Sequence, residues 1–319
     1  MTEDARHSRF DLPTIHRAAR MYYLEGATQA QIAQALGVSR PQVSRLLSEG
    51  RRLGIVDIRV HDPAAAAADG LAEGLRDALD LAHVRLAPFT GVDLGPSLRD
   101  PFSAALRSAE LVPGDTLLVS SGRTIFELSR TDLPQLPGVN IVPTVGGQAE
   151  PQPWYQTNEI ARAFAHQLGG RPHFLFAQAL PSIAVRASLQ DDPSFQEVLD
   201  LWDGAEGAIV GIGAPPSARS SISAFVPRGS GALRDAVGDI CLNFFAADGS
   251  DLHFPGDERM VRTTPELLRR IPFVLGVAVG EDKVPSIIAG ARARLFNRLV
   301  TDTTTAELIL SRLADQTAV

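Results

Sequence analysis

The sequence predicts an α/β protein: a small helical head built on a helix-turn-helix, followed by a larger, doubly wound, mainly parallel α/β body. Three observations predict it. Near the N-terminus two short helices open with matching cap signals at Thr28 and Ser39. From about residue 71 onward, short apolar runs alternate with helical patterns, the signature of strands joined by crossover helices. Between these regions lies PAAAAADG, residues 63–70, which carries no amphipathic period of its own and reads as a linker or the lead-in to a helix. The expected organisation is therefore 1–62, 63–70 and 71–319. A length of 319 residues agrees with two domains, since one core stops growing near about 250–300 residues.

In the head, Leu12, Ile15, Ala18, Ala19 and Tyr22 recur at helical spacing and Gly26 closes that helix. In the following stretch TQAQIAQALGVSRPQVSRLL, Thr28 and Gln31 form a capping box, and Ser39 and Gln42 repeat it. Gly37 suits the left-handed turn between the two helices, and Pro41 falls in a first turn, where a missing N–H costs nothing. Ile32, Leu36, Val38, Val43, Leu46 and Leu47 supply apolar faces, and Ala33 is small enough for a close crossing. Residues 55–60, IVDIRV, alternate as a half-buried strand does.

In a helix-turn-helix the second helix enters the major groove by its N-terminal residues. Here those are Ser39, Arg40, Gln42, Ser44 and Arg45: arginine pairs with guanine, glutamine with adenine, serine with base or backbone. Thr28 and Gln29 aim backbone N–H groups at a phosphate, while Arg51, Arg52 and Arg59 extend the basic surface. Residues 1–63 hold nine Arg against seven Asp and Glu. So weak an excess predicts that heads pair over two half-sites, in a dimer or larger homo-oligomer on double-stranded DNA.

Composition narrows the rest. Apolar residues make up 45% and charged residues 21%, as in ordinary globular proteins. No apolar run reaches the ~18–20 residues that span a bilayer, and the N-terminus lacks a secretory pattern, so a cytoplasmic protein without membrane contact is expected. The single cysteine, Cys241, excludes an internal disulfide and a thiolate cluster. A net charge of −7 argues against indiscriminate coating of nucleic acid. Of thirty basic residues, twenty-nine are Arg and one, Lys283, is Lys, which marks it as a candidate for a task a guanidinium cannot perform.

In the body the expected strands are 116–119, 140–145, 173–178, 207–212, 271–278 and 298–301. Helices are expected over 71–81, 124–130, 157–168, 192–202, 264–270, 284–294 and 304–313. The stretch 214–260, rich in Pro, Ser and Gly, breaks the rhythm and reads as extra strands and loops. Ligands of such sheets sit at the carboxyl ends of strands, and four glycine-bearing loops fall there. The first, Ser120, Ser121, Gly122, Arg123 and Thr124, has the composition of a phosphate cradle. Gly146, Gly147, Gln148 and Glu150 form the second, Gly211 and Gly213 the third, and Lys283 ends the fourth. Glu150, Asp239 and Asp257 are candidate acceptors for sugar hydroxyls; Trp154 and Tyr155 suit either a lid over a sugar face or a structural role. The histidines show no metal-ligand spacing, and the chain holds no nucleophile elbow, P-loop or complete dinucleotide fingerprint, so neither a metal nor a cofactor is expected.

Together, the head from LEGATQAQIAQALG to LGIVDIRV and the body segments SSGRT, VGGQAE, GIG, AVGDICLNFFAADG and VAVGEDKVPSIIAGARARLFNRLV resemble the SorC-type sugar-binding transcriptional regulators. That resemblance covers nearly the whole chain. It implies a DNA-binding head, a body similar to sugar-phosphate isomerases and glucosamine-phosphate deaminases, an effector that is a sugar, polyol or phosphosugar, and assembly often as a tetramer. By the same resemblance SSGRT is the effector's phosphate loop, VGGQAE a second binding loop and Lys283 the basic residue of the last. The sequence departs from the family at Ser120 and Ser121, where Gly and Trp are usual, and at Val279, where Gly is usual. Two rivals stand beside a regulator without turnover: a sugar-phosphate isomerase or deaminase with an appended helical domain, and a head that docks protein rather than DNA.

Overall fold

The computed structural model describes residues 10–56, 63–88, 94–219, 223–227 and 231–317. It divides into two units, Met1–Pro63 and Ala64–Val319. The first holds α1 (Leu12–Tyr23), α2 (Gln29–Leu36) and α3 (Arg40–Arg52). Asp11 caps α1 by accepting from the Thr14 N–H at 3.1 Å. Gln31 Oε1 accepts from the Thr28 N–H at 2.9 Å, and Gln42 Oε1 from the Ser39 N–H at 2.8 Å, so both predicted boxes fix a helix start. Gly37 ends α2 at φ 67°, the left-handed region, and the chain turns there into α3. Ile15, Ala18, Ile32, Val43, Leu46 and Leu47 meet as one buried core. Where α1 and α3 cross, the small residue is Gly50, over which Ile15 and Ala19 pack. Residues 55 and 56 are not in a strand; the rest of that predicted strand, and Arg59, lie outside the described residues.

The second unit begins within α4 (Pro63–Ala78), so residues 63–70 are the leading turns of a helix. Proline is tolerated at the first helical position and alanine has the highest helix propensity, which explains why a run without periodicity still folds this way. The chain continues through β1 (His83–Ala87), α5 (Leu94–Arg107), β2 (Thr116–Val119), α6 (Arg123–Leu128), β3 (Asn140–Pro143), α7 (Thr157–Leu168) and β4 (Arg171–Pro172). Then come α8 (Ile183–Leu189), α9 (Pro193–Asp203), β5 (Gly207–Gly213), β6 (Gly238–Ile240), β7 (Asn243–Phe245) and β8 (Asp251–Leu252). The last elements are α10 (Pro265–Arg270), β9 (Phe273–Val277), α11 (Val284–Arg292), β10 (Arg298–Asp302) and α12 (Thr303–Thr317).

Seven of these strands form a parallel sheet in the order β1-β10-β9-β5-β2-β3-β4, and β6, β7 and β8 extend it antiparallel from the end of β5. The sheet is thus mixed around a parallel centre. Alternate residues of the central strands serve opposite faces. Leu118, Val142, Ala208 and Val210 join one core with α9, α11 and α12, while Leu117, Val119, Ile141 and Ile209 join another with α5, α6 and α7. After β2 the chain moves outward to β3 and β4, then β5 returns on the other side of β2. That reversal makes the carboxyl ends of β2 and β5 a topological switch point, where a crevice opens. The strand expected over 173–178 is shorter and earlier than predicted: only Arg171 and Pro172 pair with β3. Helix α5 escaped prediction because Gly95 and Pro101 interrupt its pattern.

Candidate effector cavity and DNA-reading face

In the head, Arg40, Gln42, Ser44 and Arg45 are all exposed on the first turns of α3, and Arg51 is exposed at its end. Neither Arg40 nor Arg45 forms an ion pair with a described residue, whereas Arg52 is held by Glu49 at 2.7 Å. The two leading guanidinium groups are therefore available, and their helix is fixed by Val43, Leu46 and Leu47 beneath. Gln42 is less available than its position suggests, because its Oε1 accepts from both the Ser39 N–H and the Ser39 Oγ at 2.8 and 2.9 Å. It retains its amide donors but not the free acceptor that bidentate adenine reading requires. Thr28 is exposed and Gln29 half-buried at the start of α2.

In the body, the switch point holds a cavity of about 360 Å³. From the loop after β2 come Ser121 and Gly122, and from the start of α6 Arg123 and Thr124; from the loop after β3, Gln148; from β5, Gly211 and Gly213; from β6, Asp239; and from the turn after β9, Lys283. Nine predicted residues thus meet in one place. Register explains Asp239: β6 pairs antiparallel with the end of β5, so Gly213 lies opposite Asp239. Gly122 (φ 125°, ψ 153°) and Gly280 (φ 117°, ψ 152°) adopt the same glycine-only conformation, one before Arg123 and the other before the turn that carries Lys283. The Trp154 carbonyl accepts from the Gly122 N–H at 2.9 Å, and Thr305 Oγ1 from the Gly280 N–H at 2.9 Å.

Among the described residues three cations line the cavity, each in a different setting. Arg123 stacks over the Trp154 ring at 4.6 Å. Arg219, which sequence reasoning missed, forms an ion pair with Asp239 and donates to the Ala214 carbonyl at 2.7 Å. Lys283 has no ion-pair or hydrogen-bond partner for its side chain among the described residues. Burial pushes the Lys283 pKa below its ordinary value; Arg219 and Arg123 push the same way, against the opposing pull of Asp282 and Asp239. Cys241 also lines the cavity, and burial raises its thiol to about 11, which leaves it a small apolar wall rather than a nucleophile. Across the floor, Gln148 Nε2 donates to Ser121 Oγ at 3.3 Å, and Ser223 Oγ donates to Gln148 Oε1. The signal for Arg219 was a lone charge in the Pro- and Ser-rich stretch after β5, which has no periodicity to place it.

Five predicted residues do not line the cavity. Ser120 lies beneath it, 2% exposed, where its Oγ accepts from the Gly211 N–H at 2.8 Å and ties β2 to β5. Gly146 is a packing residue, since a Cβ there would stand 2.7 Å from the Gln178 backbone. Gly147 exchanges backbone bonds with Ala177 and Ala179 at 2.7 and 2.8 Å. Glu150 accepts from the Ala224 N–H at 2.9 Å and so secures the segment that carries Ser223. Asp257 pairs with His253 at 2.7 Å and with Arg262 at 3.4 Å. Trp154 and Tyr155 do line the cavity, where Trp154 also positions Gly122 and Arg123.

The family model Sugar-bind, "Putative sugar-binding domain", matches residues 66–311, and the model of Sigma-70, region 4 matches residues 16–52. The chain is 30% identical over 312 residues to the sorbitol operon regulator of Klebsiella pneumoniae, covering 94% of this chain and 98% of that one. It is 28% identical over 306 residues to the deoxyribonucleoside regulator of Bacillus subtilis (strain 168), covering 93% and 96%. The crystal structure of the full-length sorbitol operon regulator SorC from Klebsiella pneumoniae superposes with a TM-score of 0.70 over 95% of this chain and 100% of that one. Among the described residues no helix is long and apolar enough to cross a membrane. Helix-turn-helix head, switch-point cavity and a family match over most of the length agree: the chain belongs to the SorC-type family of sugar-binding transcriptional regulators.

Proposed function

We propose that this regulator works in the cytoplasm as a homo-oligomer, reads a repeated or palindromic operator through Arg40 and Arg45, and controls a carbohydrate or polyol utilisation operon. Its effector, a sugar, polyol or phosphosugar, binds the cavity between β2 and β5 and is not turned over. The observation that carries this reading is the cavity's lining: three cations, hydroxyl and amide groups of Ser121, Thr124 and Gln148, and the Trp154 ring at one switch point. Cations suit an anionic end, the polar side chains suit hydroxyls, and an aromatic face suits a sugar's C–H surface. Proton abstraction from a sugar carbon needs a free general base within reach, and among the described residues two carboxylates, Asp239 and Asp282, line the cavity. Asp239 is poorly placed for that work, because one oxygen is paired with Arg219 and the other accepts from the Leu242 N–H at 3.0 Å.

Coupling follows if the effector favours one arrangement of subunits, so that paired heads match or miss the half-site spacing; about 1–3 kcal/mol suffices for a 5- to 150-fold change in occupancy. The test is a thermal-shift panel of hexoses, pentoses, polyols and their phosphates, since a ligand that binds only the folded state raises its melting temperature. A hit should change operator affinity in wild type and fail to do so in Lys283→Ala. The reading falls if no member of the panel shifts the melt, if Lys283→Ala responds normally, or if the pure protein converts the hit to a product.

A further inference from the structure

We infer that Thr305 is the positioning residue through which an effector in the cavity acts on DNA affinity: its hydroxyl ties the turn after β9 to α12, and α12 packs on α4, the helix that follows the head in the chain. The inference rests on the effector-cavity reading above and extends it from where the effector binds to how binding is passed on. Thr305 is 1% exposed, lies in the first turn of α12 and is not part of the cavity lining. Asp302, the last residue of β10, caps α12 by accepting from the Thr305 N–H at 2.8 Å. In a capping box the residue at this place is a Glu or Gln whose side chain returns to the cap's own N–H. Here it is a threonine, which helices favour less, and its Oγ1 accepts instead from the Gly280 N–H at 2.9 Å, 25 residues away in the chain.

Both ends of this contact lead somewhere. Gly280 precedes the turn that carries Lys283 into the cavity, and its conformation (φ 117°, ψ 152°) is one that only glycine holds without strain, so the turn pivots beside the bonded amide. On the other side, Ala306 and Ile309 of α12 share a core with Leu75 and Leu79 of α4. Leu310 packs over Gly74, where a Cβ would stand 3.8 Å from Leu310 Cδ1. α4 starts at Pro63, the residue at which the head unit ends. Interdigitated cores hold few voids, so a shift of α12 is passed to α4 rather than absorbed between them. An effector that binds one position of the turn better than another therefore biases the whole route, which is what coupling requires.

The test compares Thr305→Val, which keeps the shape and loses the acceptor, with Thr305→Ser, which keeps the acceptor. Operator affinity of the full-length protein is measured with and without a saturating panel hit, saturation being set for each variant by thermal shift. Wild type and Thr305→Ser should respond alike, by about 5- to 150-fold. Thr305→Val should still bind the hit and still bind the operator, yet its operator affinity should change by less than about twofold when the hit is added. Leu310→Ala cuts the route at its α4 end and should reduce the same response without touching the turn. A normal response in Thr305→Val or in Leu310→Ala overturns the inference. So does an equal loss in Thr305→Ser, which would make packing and not the hydroxyl responsible, or a Thr305→Val protein that no longer binds the hit, which would make Thr305 part of the site. Amide hydrogen exchange tests the route without any ligand: residues 278–284 and 63–78 should both exchange at least about threefold faster in Thr305→Val than in Thr305→Ser. Faster exchange confined to 278–284 overturns the inference even where no panel member binds. A panel without any hit sinks the effector reading instead, so the two failures are distinguishable.

Discussion

In the head, the described groups proposed to read DNA, apart from the start of α2, lie on or beside one helix of thirteen residues, and spacing along the chain places them. In the body, the cavity takes residues from the start of α5, from loops after β2, β3, β5 and β9 and from β6, spread from residue 94 to residue 283, and only the order of strands brings them together. The head's chemistry is local and its support is small, six fully or nearly buried apolar side chains. The body's chemistry is non-local and its support is two cores on opposite faces of a sheet. A local site is thus easy to read and easy to unfold. A non-local one is hard to read and hard to unfold.

The largest effect should come from Leu46→Ala, which removes a fully buried side chain from the head's core. Large-to-small changes of this kind cost about 2–5 kcal/mol, and a unit this small holds little more in reserve. Operator binding and a low-temperature melting step should both disappear while the body still melts as in wild type and still responds to the effector panel. A single shared transition that moves as a whole would break the comparison, because head and body would then fold as one.

Next in size is Arg45→Ala. Loss of one base-reading guanidinium costs about 1–3 kcal/mol of operator affinity, roughly 5- to 150-fold, with thermal stability and effector binding unchanged. Gln42→Ala should cost less affinity and some stability, because its Oε1 is bonded to Ser39. Band-shift titrations beside melting curves separate the two. If Gln42→Ala proves the more damaging to affinity, the amide leaves its cap on binding DNA.

How far each region was legible follows the same division. The caps at Thr28 and Ser39 and the turn at Gly37 are local hydrogen-bond and torsional facts, so sequence placed them to the residue. Strands β2, β5, β9 and β10 were legible because buried parallel strands are continuous apolar runs. β1, His83–Ala87, was not, since His83 and Arg85 occupy its exposed positions and break the apolar run. Acidic residues were the least legible: Asp239 reaches the cavity only through the β5–β6 register, while Asp257, which also follows a glycine, and Glu150 bond elsewhere. Nothing in composition distinguishes these cases.

Two glycines turn this difference into an experiment of smaller size. Gly37 sits at φ 67°, ψ 30°, which asparagine also adopts, whereas Gly122 sits at φ 125°, ψ 153°, which only glycine tolerates. A Cβ at either position meets nothing within 4 Å, so the cost is torsional and not steric. Gly37→Asn should leave operator binding near wild type. Gly122→Asn should cost about 1–3 kcal/mol, displace Arg123 from the cavity and weaken the panel hit. Equal tolerance at the two sites would mean that the loop after β2 relaxes without consequence for the ligand.

The smallest expected effect is Thr28→Ala. The Gln31 N–H approaches Thr28 Oγ1 at 3.4 Å, a long contact, while the reciprocal bond from the Thr28 N–H to Gln31 Oε1 is 2.9 Å and survives the change. Loss of an N-cap hydroxyl typically costs about 1 kcal/mol, and here the lower end of the range applies because half of the box remains. The head's melting step should fall by a few degrees and operator affinity by no more than the stability loss allows. A tenfold or greater loss of affinity with that same small shift would carry a different meaning: the hydroxyl itself would be bonding a phosphate, and α2 would share with α3 the work of holding the duplex.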